Sequence, residues 1–419
     1  MLFWRILRLA IFGLRYYCLN LKKGMRKVSF VCFSINNWEK RKARKQQFML
    51  HLSYRDDVDR VLYIEPALNI FRLLFFPVSE LRGKENRKRW FRALSLKTKP
   101  ISDKFIIITP LFFIPFAFRV HFIYNLNLFI ILTLIRRKIK KIGLDGIVLW
   151  LYHPFDYPLL KWFKEKVFAV FDWAEEWADY FVEYSSGKKD RVRIFEERIV
   201  RDADLVFVVS EELLRLAREN NPNSYQLLDG TDYELFQRES GYTPYDIRGI
   251  RKPILGYLGT IKERTDLELV KFIAKSLPTV SLVFIGDIHY RSIDLNCLGD
   301  CENIYFLGGK DYEELGNYAK FFDVCILPYK RVSSPPTKIF DYLATGKPVV
   351  STDLPAMARY KGHILIATNK EEFLEMIKIA LMENNAANQG LRRELAKENS
   401  WAKRADEIMN YLKKRLSDD

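Results

Sequence analysis

The chain is expected to fold as an α/β protein of two domains, each built on a parallel sheet, and three observations predict this. Short apolar runs that read as buried strands, such as 28–33, 281–285 and 324–327, alternate with longer helical stretches, the pattern of parallel strands joined by helices. The length of 419 residues suffices for two domains with separate cores, and 49% hydrophobic with 15% aromatic residues excludes a disordered chain. Residues 335–352 read Pro-Pro-Thr-Lys-Ile-Phe-Asp-Tyr-Leu-Ala-Thr-Gly-Lys-Pro-Val-Val-Ser-Thr, which is a loop, a helix over about 336–345 and a buried strand.

Charge is unevenly distributed. The net charge is +16, yet residues 1–141 hold 30 Lys and Arg against 8 Asp and Glu, which leaves 38 against 44 for the remainder. The basic excess therefore belongs to the first third. It suits an anionic membrane surface, where each basic residue contributes about 1 kcal/mol; a solvated surface is the plainer alternative. Nucleic acid is not an expected partner, because the basic region holds no recognisable reading module. Cys18, Cys32, Cys297, Cys301 and Cys325 form no CxxC pair and no even framework, as expected in a reducing compartment, and Cys297 and Cys301 read as ordinary thiols rather than a metal pair.

Along the chain, residues 1–24 set Arg5, Arg8, Arg15, Lys22 and Lys23 among apolar residues, the pattern of an interfacial helix; the alternative is a natural start at Met25. The longest charge-free run there, 9–14, is too short for a signal sequence or a span. Residues 28–33 read as the first strand and 34–38 as the loop at its C-terminal end, where open α/β sheets place ligands, although no GxGxxG occurs. Trp38, with Arg44 on the next helix, either lines a cleft there or belongs to a capped basic surface helix. A second strand, 60–64, closes on Glu65-Pro66. Residues 80–104 are polar and basic without clear periodicity and read as an inserted loop, mobile or facing a membrane. Two apolar runs within 105–135 flank Arg119 and carry Pro110 and Pro115. Each is shorter than the ~18 residues of a span, so they read as a buried strand, a Pro-rich loop and a helix ending at Arg136-Arg137-Lys138.

Strands at 146–151 and 167–171 follow. His153 stands just beyond the first, and Asp172 and Glu175 just beyond the second, so all three are expected on the ligand side of the sheet. A structural histidine and a helix-capping box are the alternatives. The first domain is expected to run from 25 to 240, with 241–252 as linker and a second domain at 253–390. In that domain a strand ending at Gly259 lets a diphosphate approach the backbone, with Thr260 beside it and Arg264 or Lys262 supplying charge. Within 335–352, Pro336 suits a first helical turn, and Gly346 followed by Lys347-Pro348 stops the helix. Thr337 and Lys338 at its start suit a diphosphate, and Asp341, one turn on, suits the two hydroxyls of a ribose.

From Ser334 to Val350 this stretch resembles the retaining glycosyltransferases of group 1, the family 4-like type that includes teichuronic acid and other surface-polysaccharide enzymes, with their Ser-Pro-x-Lys and Glu-Tyr-Leu-Ala-x-Gly-Lys-Pro-Val-Val pattern. Asp341 stands where that family has Glu, one methylene longer. Asp229-Gly230-Thr231-Asp232 through Phe236 is similar to the family's Asn-Gly-Val-Asp-x-x-x-Phe, and Asp172 through Trp177 to its Asp-x-x-Asp-Asp-Trp. The resemblance covers roughly residues 26–405. It implies a GT-B fold, two Rossmann-like domains whose parallel sheets face across a cleft, with helices in 391–419 crossing back to the first domain. By resemblance the donor is held by Gly259, Thr260, Arg264, Ser334, Thr337, Lys338 and Asp341, the acceptor cleft includes Trp38 and Arg44, and the catalytic group comprises His153, Asp172 and Glu175. The implied reaction moves a hexosyl group from a nucleoside-diphosphate sugar to a lipid-linked or polysaccharide acceptor. It retains configuration, needs neither metal nor further cofactor, and takes place in the cytoplasm on the inner face of the cell membrane. An inactive scaffold, suggested by Asp341, Asp229 and Ser333, and a nucleotide-sugar epimerase are the competing readings.

Overall fold

Two parallel sheets organise the chain. The structure, a computed structural model, describes residues 27–38, 43–112, 121–163, 167–175, 177, 186–238, 242–290, 292–299, 301–330 and 336–418. Residues 1–24, the Pro-rich stretch 113–118, Arg119, Glu176, Ser333 and Ser334 lie outside them. The chain divides into two units, residues 1–228 with 405–419, and residues 229–404.

The first unit holds β1 (Val28–Phe33), β2 (Val58–Ile64), β3 (Leu68–Asn69), β4 (Lys99–Pro100), β5 (Phe105–Ile108), β6 (Leu111–Phe112), β7 (Ile147–Leu151), β8 (Phe168–Trp173), β9 (Leu205–Val208) and β10 (Ser224–Gln226). Among the described residues the main sheet runs β10-β9-β8-β7-β1-β2-β5-β4, parallel except for β4, while β3 pairs with β6. Strands β1, β8 and β9 are buried at every position. Covered on both faces, they are continuous apolar runs rather than alternating ones. The second unit holds β11 (Ile254–Leu258), β12 (Ser281–Ile285), β13 (Ile304–Phe306), β14 (Val324–Leu327), β15 (Val349–Thr352) and β16 (Leu365–Ala367) in the order β13-β12-β11-β14-β15-β16, all parallel. Both are doubly wound sheets whose strand order reverses beside the first strand, at β1/β7 and at β11/β14. Ligands of such sheets bind beyond the strand ends at that reversal.

Three differences from the sequence reading have physical causes. The second unit begins at Asp229, so the expected linker 241–252 lies inside its range. Thr231 N–H donates to the Asn399 carbonyl and Trp401 N–H to that of Thr231, both at 3.0 Å. Gly230 permits this, since a Cβ there would sit 2.8 Å from the Trp401 nitrogen, and Phe236 is buried in the second unit's core. Next, residues 84–94, expected as loop, form a helix (Lys84–Leu94). Buried Arg89 and Arg92 each reach Glu65 Oε2 at 3.3 Å, and Trp90 and Ala93 pack with Leu111. Finally, β8 extends through Trp173, which puts Asp172 inside a strand.

The helix His121–Ile142 runs past the expected end at 138. No helix among the described residues is long and apolar enough to cross a membrane. The last helix, Trp401–Asp418, belongs to the first unit from Ala405 onward. There Tyr411 packs its ring 4.3 Å from Tyr225 and 5.8 Å from Phe207.

Candidate functional site

Each unit gathers polar side chains at the reversal point of its sheet. In the second unit the gathering starts from β11, whose end is Gly259 at φ +125°, a backbone conformation that favours glycine. A side chain there would strike the ammonium of Lys338. Lys338 opens the helix Lys338–Ala344, and its Nζ lies 4.0 Å over the ring of Tyr257 and 5.7 Å from that of Tyr329. Arg264 lies 5.3 Å over the other partner, Tyr329. The loop carrying Arg264 is stitched to the end of β14, with Lys330 N–H donating to the Arg264 carbonyl at 2.9 Å and Asp266 N–H to that of Pro328 at 2.8 Å. Both Lys338 Nζ and Arg264 Nε are shielded from solvent, and neither makes a hydrogen bond of ordinary geometry among the described residues. Burial holds the Lys338 ammonium below its ordinary pKa, with Tyr257 opposing and Arg264 adding to the shift.

One turn along the same helix, Asp341 Oδ1 accepts the Thr231 hydroxyl at 2.6 Å, and Thr337 donates to Asp229 Oδ2 at 3.2 Å. Burial raises the Asp341 carboxyl to about 7, with the neighbouring Asp232 and Asp229 adding to the rise and Thr231 and Lys338 opposing it. Tyr342 fixes the helix against the sheet, its hydroxyl accepting the Leu258 N–H at 2.6 Å. The structure thus brings Gly259, Arg264, Lys338 and Asp341 into one neighbourhood. Thr260 joins it through its carbonyl, which accepts the Tyr257 hydroxyl at 3.2 Å. The sequence reading missed Tyr257 and Tyr329, the two rings beneath the cations, and it assigned Thr231 and Asp229 to the other domain. Only their position at the ends of β11 and β14 could have singled the rings out.

In the first unit the reversal point is polar but internally paired. Arg44 grips Asp172 with Nε at 3.1 Å from both carboxylate oxygens and its second nitrogen at 2.8 Å. Asp172 is fully buried, and the guanidinium lies 4.5 Å over Phe48. Trp38 is a packing residue as well as a loop residue. Its N–H donates to Glu65 Oε1 at 2.8 Å, and its ring sits 4.6 Å from Phe105 and 5.4 Å from Tyr63. Glu175 is half-buried two residues beyond β8.

His153 stands two residues beyond β7. Its Nδ1 accepts the Phe155 N–H at 3.1 Å, which assigns the ring proton to Nε2 and makes that nitrogen a donor. Burial, helped by the Lys45 charge, lowers its pKa to about 4, so the imidazole is neutral at physiological pH. Asp156, unflagged by the sequence, accepts the His153 N–H at 3.2 Å, and burial raises its carboxyl to about 7. Lys45 completes the group, 5.5 Å over Tyr152 and 5.9 Å over Trp177.

Comparison with known proteins bears on family and fold. Residues 252–383 match the family model described as glycosyl transferases group 1. Over 288 residues the chain is 24% identical to TuaH of Bacillus subtilis (strain 168), a candidate teichuronic acid biosynthesis glycosyltransferase, covering 63% of this chain and 71% of that one. Among solved structures, sucrose-phosphate synthase from Thermosynechococcus elongatus superposes with a TM-score of 0.65 at 14% identity, over 94% of this chain and 100% of the other. Anabaena HepE in complex with UDP-glucose gives 0.61 at 13% identity, over 92% and 99%. At these identities the structural likeness speaks for the fold.

Proposed function

We propose, from the premise that this chain is a group 1 glycosyltransferase of GT-B architecture, that its second unit holds a nucleoside-diphosphate sugar at the β11/β14 reversal. The first unit would receive a lipid-linked or polysaccharide acceptor. The observation that carries the donor assignment is the shielded Lys338 ammonium beside the half-buried Arg264, with neither Lys338 Nζ nor Arg264 Nε hydrogen-bonded among the described residues. An unpaired buried charge is costly, and a diphosphate would supply the missing partner. Gly259 leaves the backbone open to it, and Asp341 receives the ribose. When the sugar–phosphate bond breaks, negative charge develops on the departing diphosphate, and the shielded Lys338 with the half-buried Arg264 would stabilise it without a metal. His153 Nε2–H, a neutral donor, suits a sugar hydroxyl, and transfer with retention follows from the family resemblance. The polysaccharide acceptor is suggested by the likeness to TuaH, and the working place is the cytoplasmic face of the membrane.

The test is thermal stabilisation by UDP, GDP, ADP, dTDP and CMP, since a ligand of the native state raises apparent stability by mass action. UDP is tested first because HepE was solved with UDP-glucose. A selective rise with one nucleoside diphosphate is expected. No rise with any of them would overturn the reading in favour of an inactive scaffold.

Asp341 adds a pH dependence. A carboxylate accepting two ribose hydroxyls must be ionised, and its carboxyl is raised to about 7, so nucleotide affinity is expected to fall as pH drops through 7 toward 6. Asp341→Asn removes that dependence, and Asp341→Ala weakens binding roughly tenfold or more, the loss of charge-assisted hydrogen bonds. Unchanged affinity in calorimetry would contradict the ribose assignment.

A further inference from the structure

In the first unit, residues 70–99 form an insertion whose exposed side chains are apolar and cationic together. Two short helices, Ile70–Phe75 and Pro77–Glu80, fold into a corner closed by Arg72 Nε donating to Glu80 Oε1 at 2.7 Å. At its apex Leu74, Phe75, Phe76 and Val78 are exposed, Phe75 by 72% and Val78 by 85%. The following helix, Lys84–Leu94, buries Trp90 and Ala93 but leaves Phe91 and Leu94 exposed. These apolar side chains are held outward, because the insertion is already fixed to the unit from its other side by Arg89 and Arg92 on Glu65. Glu65 also accepts the Thr109 hydroxyl at 2.6 Å, so the anchor is satisfied within the unit.

The same segment carries nine Lys or Arg against two Glu. Of these cations Arg82, Lys84, Arg87, Lys88 and Lys97 are exposed, with Lys97 5.5 Å over the Phe91 ring. Exposed large apolar residues clustered in one segment mark an interaction surface. Lys88 meets Glu85 at 3.0 Å, and the mixture of apolar residues with the remaining excess of cations selects among partners, because a protein partner of apolar complementarity does not call for the positive excess, whereas an anionic leaflet offers acyl chains beneath phosphates.

We propose that the 70–99 insertion is a bilayer-docking surface, with Leu74, Phe75, Phe76 and Val78 entering the acyl boundary of an anionic leaflet and the surrounding Lys and Arg meeting its headgroup phosphates. This deepens the reading of the chain as a transferase working on an acceptor at a membrane, and rests on that reading for its purpose. The peripheral attachment it provides needs no spanning helix.

Sedimentation of the full chain with phosphatidylcholine vesicles, with and without phosphatidylglycerol, tests it. The chain is expected to sediment with the anionic vesicles and to be released by salt. The double variant Phe75→Ser/Phe76→Ser, both exposed and so tolerated by the fold, is expected to lose binding about tenfold or more. Lys84→Glu/Arg87→Glu is expected to lose both binding and salt sensitivity. Thermal stabilisation by the nucleoside diphosphate is expected to be unchanged in both, so a failed donor assignment and a failed docking surface give different results. Vesicle binding by the variants equal to that of the parent chain would overturn the proposal. So would a dimer, seen by light scattering, that Phe75→Ser/Phe76→Ser dissociates, since the surface would then join two copies.

Discussion

Lys338→Met is expected to abolish donor binding and, at the same time, to make the unliganded second unit more stable. The ammonium is shielded, lies over the Tyr257 ring and makes no hydrogen bond of ordinary geometry among the described residues, with Asp341 acting on it only through its charge. Methionine fills a similar volume without a charge to desolvate, so removing the cation relieves the unliganded protein of an unfavourable burial of about 1 kcal/mol or more, a rise of roughly 2–4 °C in melting temperature. The loss falls on function. Nucleoside-diphosphate affinity drops by ~10–100-fold, and the rate of sugar transfer or donor hydrolysis by ~10²–10³-fold, as when one stabilising donor is removed from a developing negative charge. Opposite changes of this kind are expected where stability is surrendered for a working site. Differential scanning fluorimetry with and without ligand reads both effects.

The pH dependence carries the same signature. Because the folded-state pKa of Lys338 is depressed by burial, the unfolded chain binds the extra proton more readily. Stability contributed through this group therefore rises as pH climbs toward the unfolded lysine value near ~10 and is lower below that window. Lys338→Met removes that slope. A melting temperature lowered by the substitution would mean that the ammonium has a partner and that its charge supports the fold.

Arg44→Met and Asp172→Asn are expected to be the most damaging single changes to the first unit, each costing about 3–5 kcal/mol, because each breaks a buried, multiply hydrogen-bonded ion pair by removing one of its charges. Asp172 is fully buried, and Arg44 contacts both of its oxygens. The pair joins β8 to the helix Arg44–Ser53 and so holds together the two sides of the reversal point. Replacing both residues by apolar ones of similar volume is expected to recover much of the loss. Urea unfolding followed by tryptophan fluorescence measures each cost. Unchanged unfolding in Asp172→Asn, accompanied by loss of transfer, would instead assign the carboxylate to the acceptor.

How legible these features were depended on whether their causes are local. The runs 28–33, 281–285 and 324–327 are the observed strands, since a strand covered on both faces must be apolar throughout. The helix expected over about 336–345 is found at Lys338–Ala344, because Gly346 and Pro348 act on their own neighbours. The helix over 84–94 was illegible, since what orders it is Glu65, far away in sequence, receiving Arg89 and Arg92. The sequence pattern places Thr231 at the close of the first domain, whereas its backbone pairs with Asn399 and Trp401 and its hydroxyl with Asp341.

The sequence by itself determined two parallel α/β sheets, the helix that carries Lys338 and Asp341, and a first third rich in positive charge. Each is written in residues close together along the chain, through apolar runs, helix stops and charge density. Only the tertiary structure decided which charges meet an opposite charge and which lie over aromatic rings. Arg44 and Asp172, 128 residues apart, neutralise one another, while Lys338 Nζ and Arg264 lie over tyrosine rings, and Lys338 Nζ and Arg264 Nε have no hydrogen-bond partner among the described residues. Whether a charge is paired depends on what the fold brings within about 4 Å of it, and no spacing along the chain reports that distance.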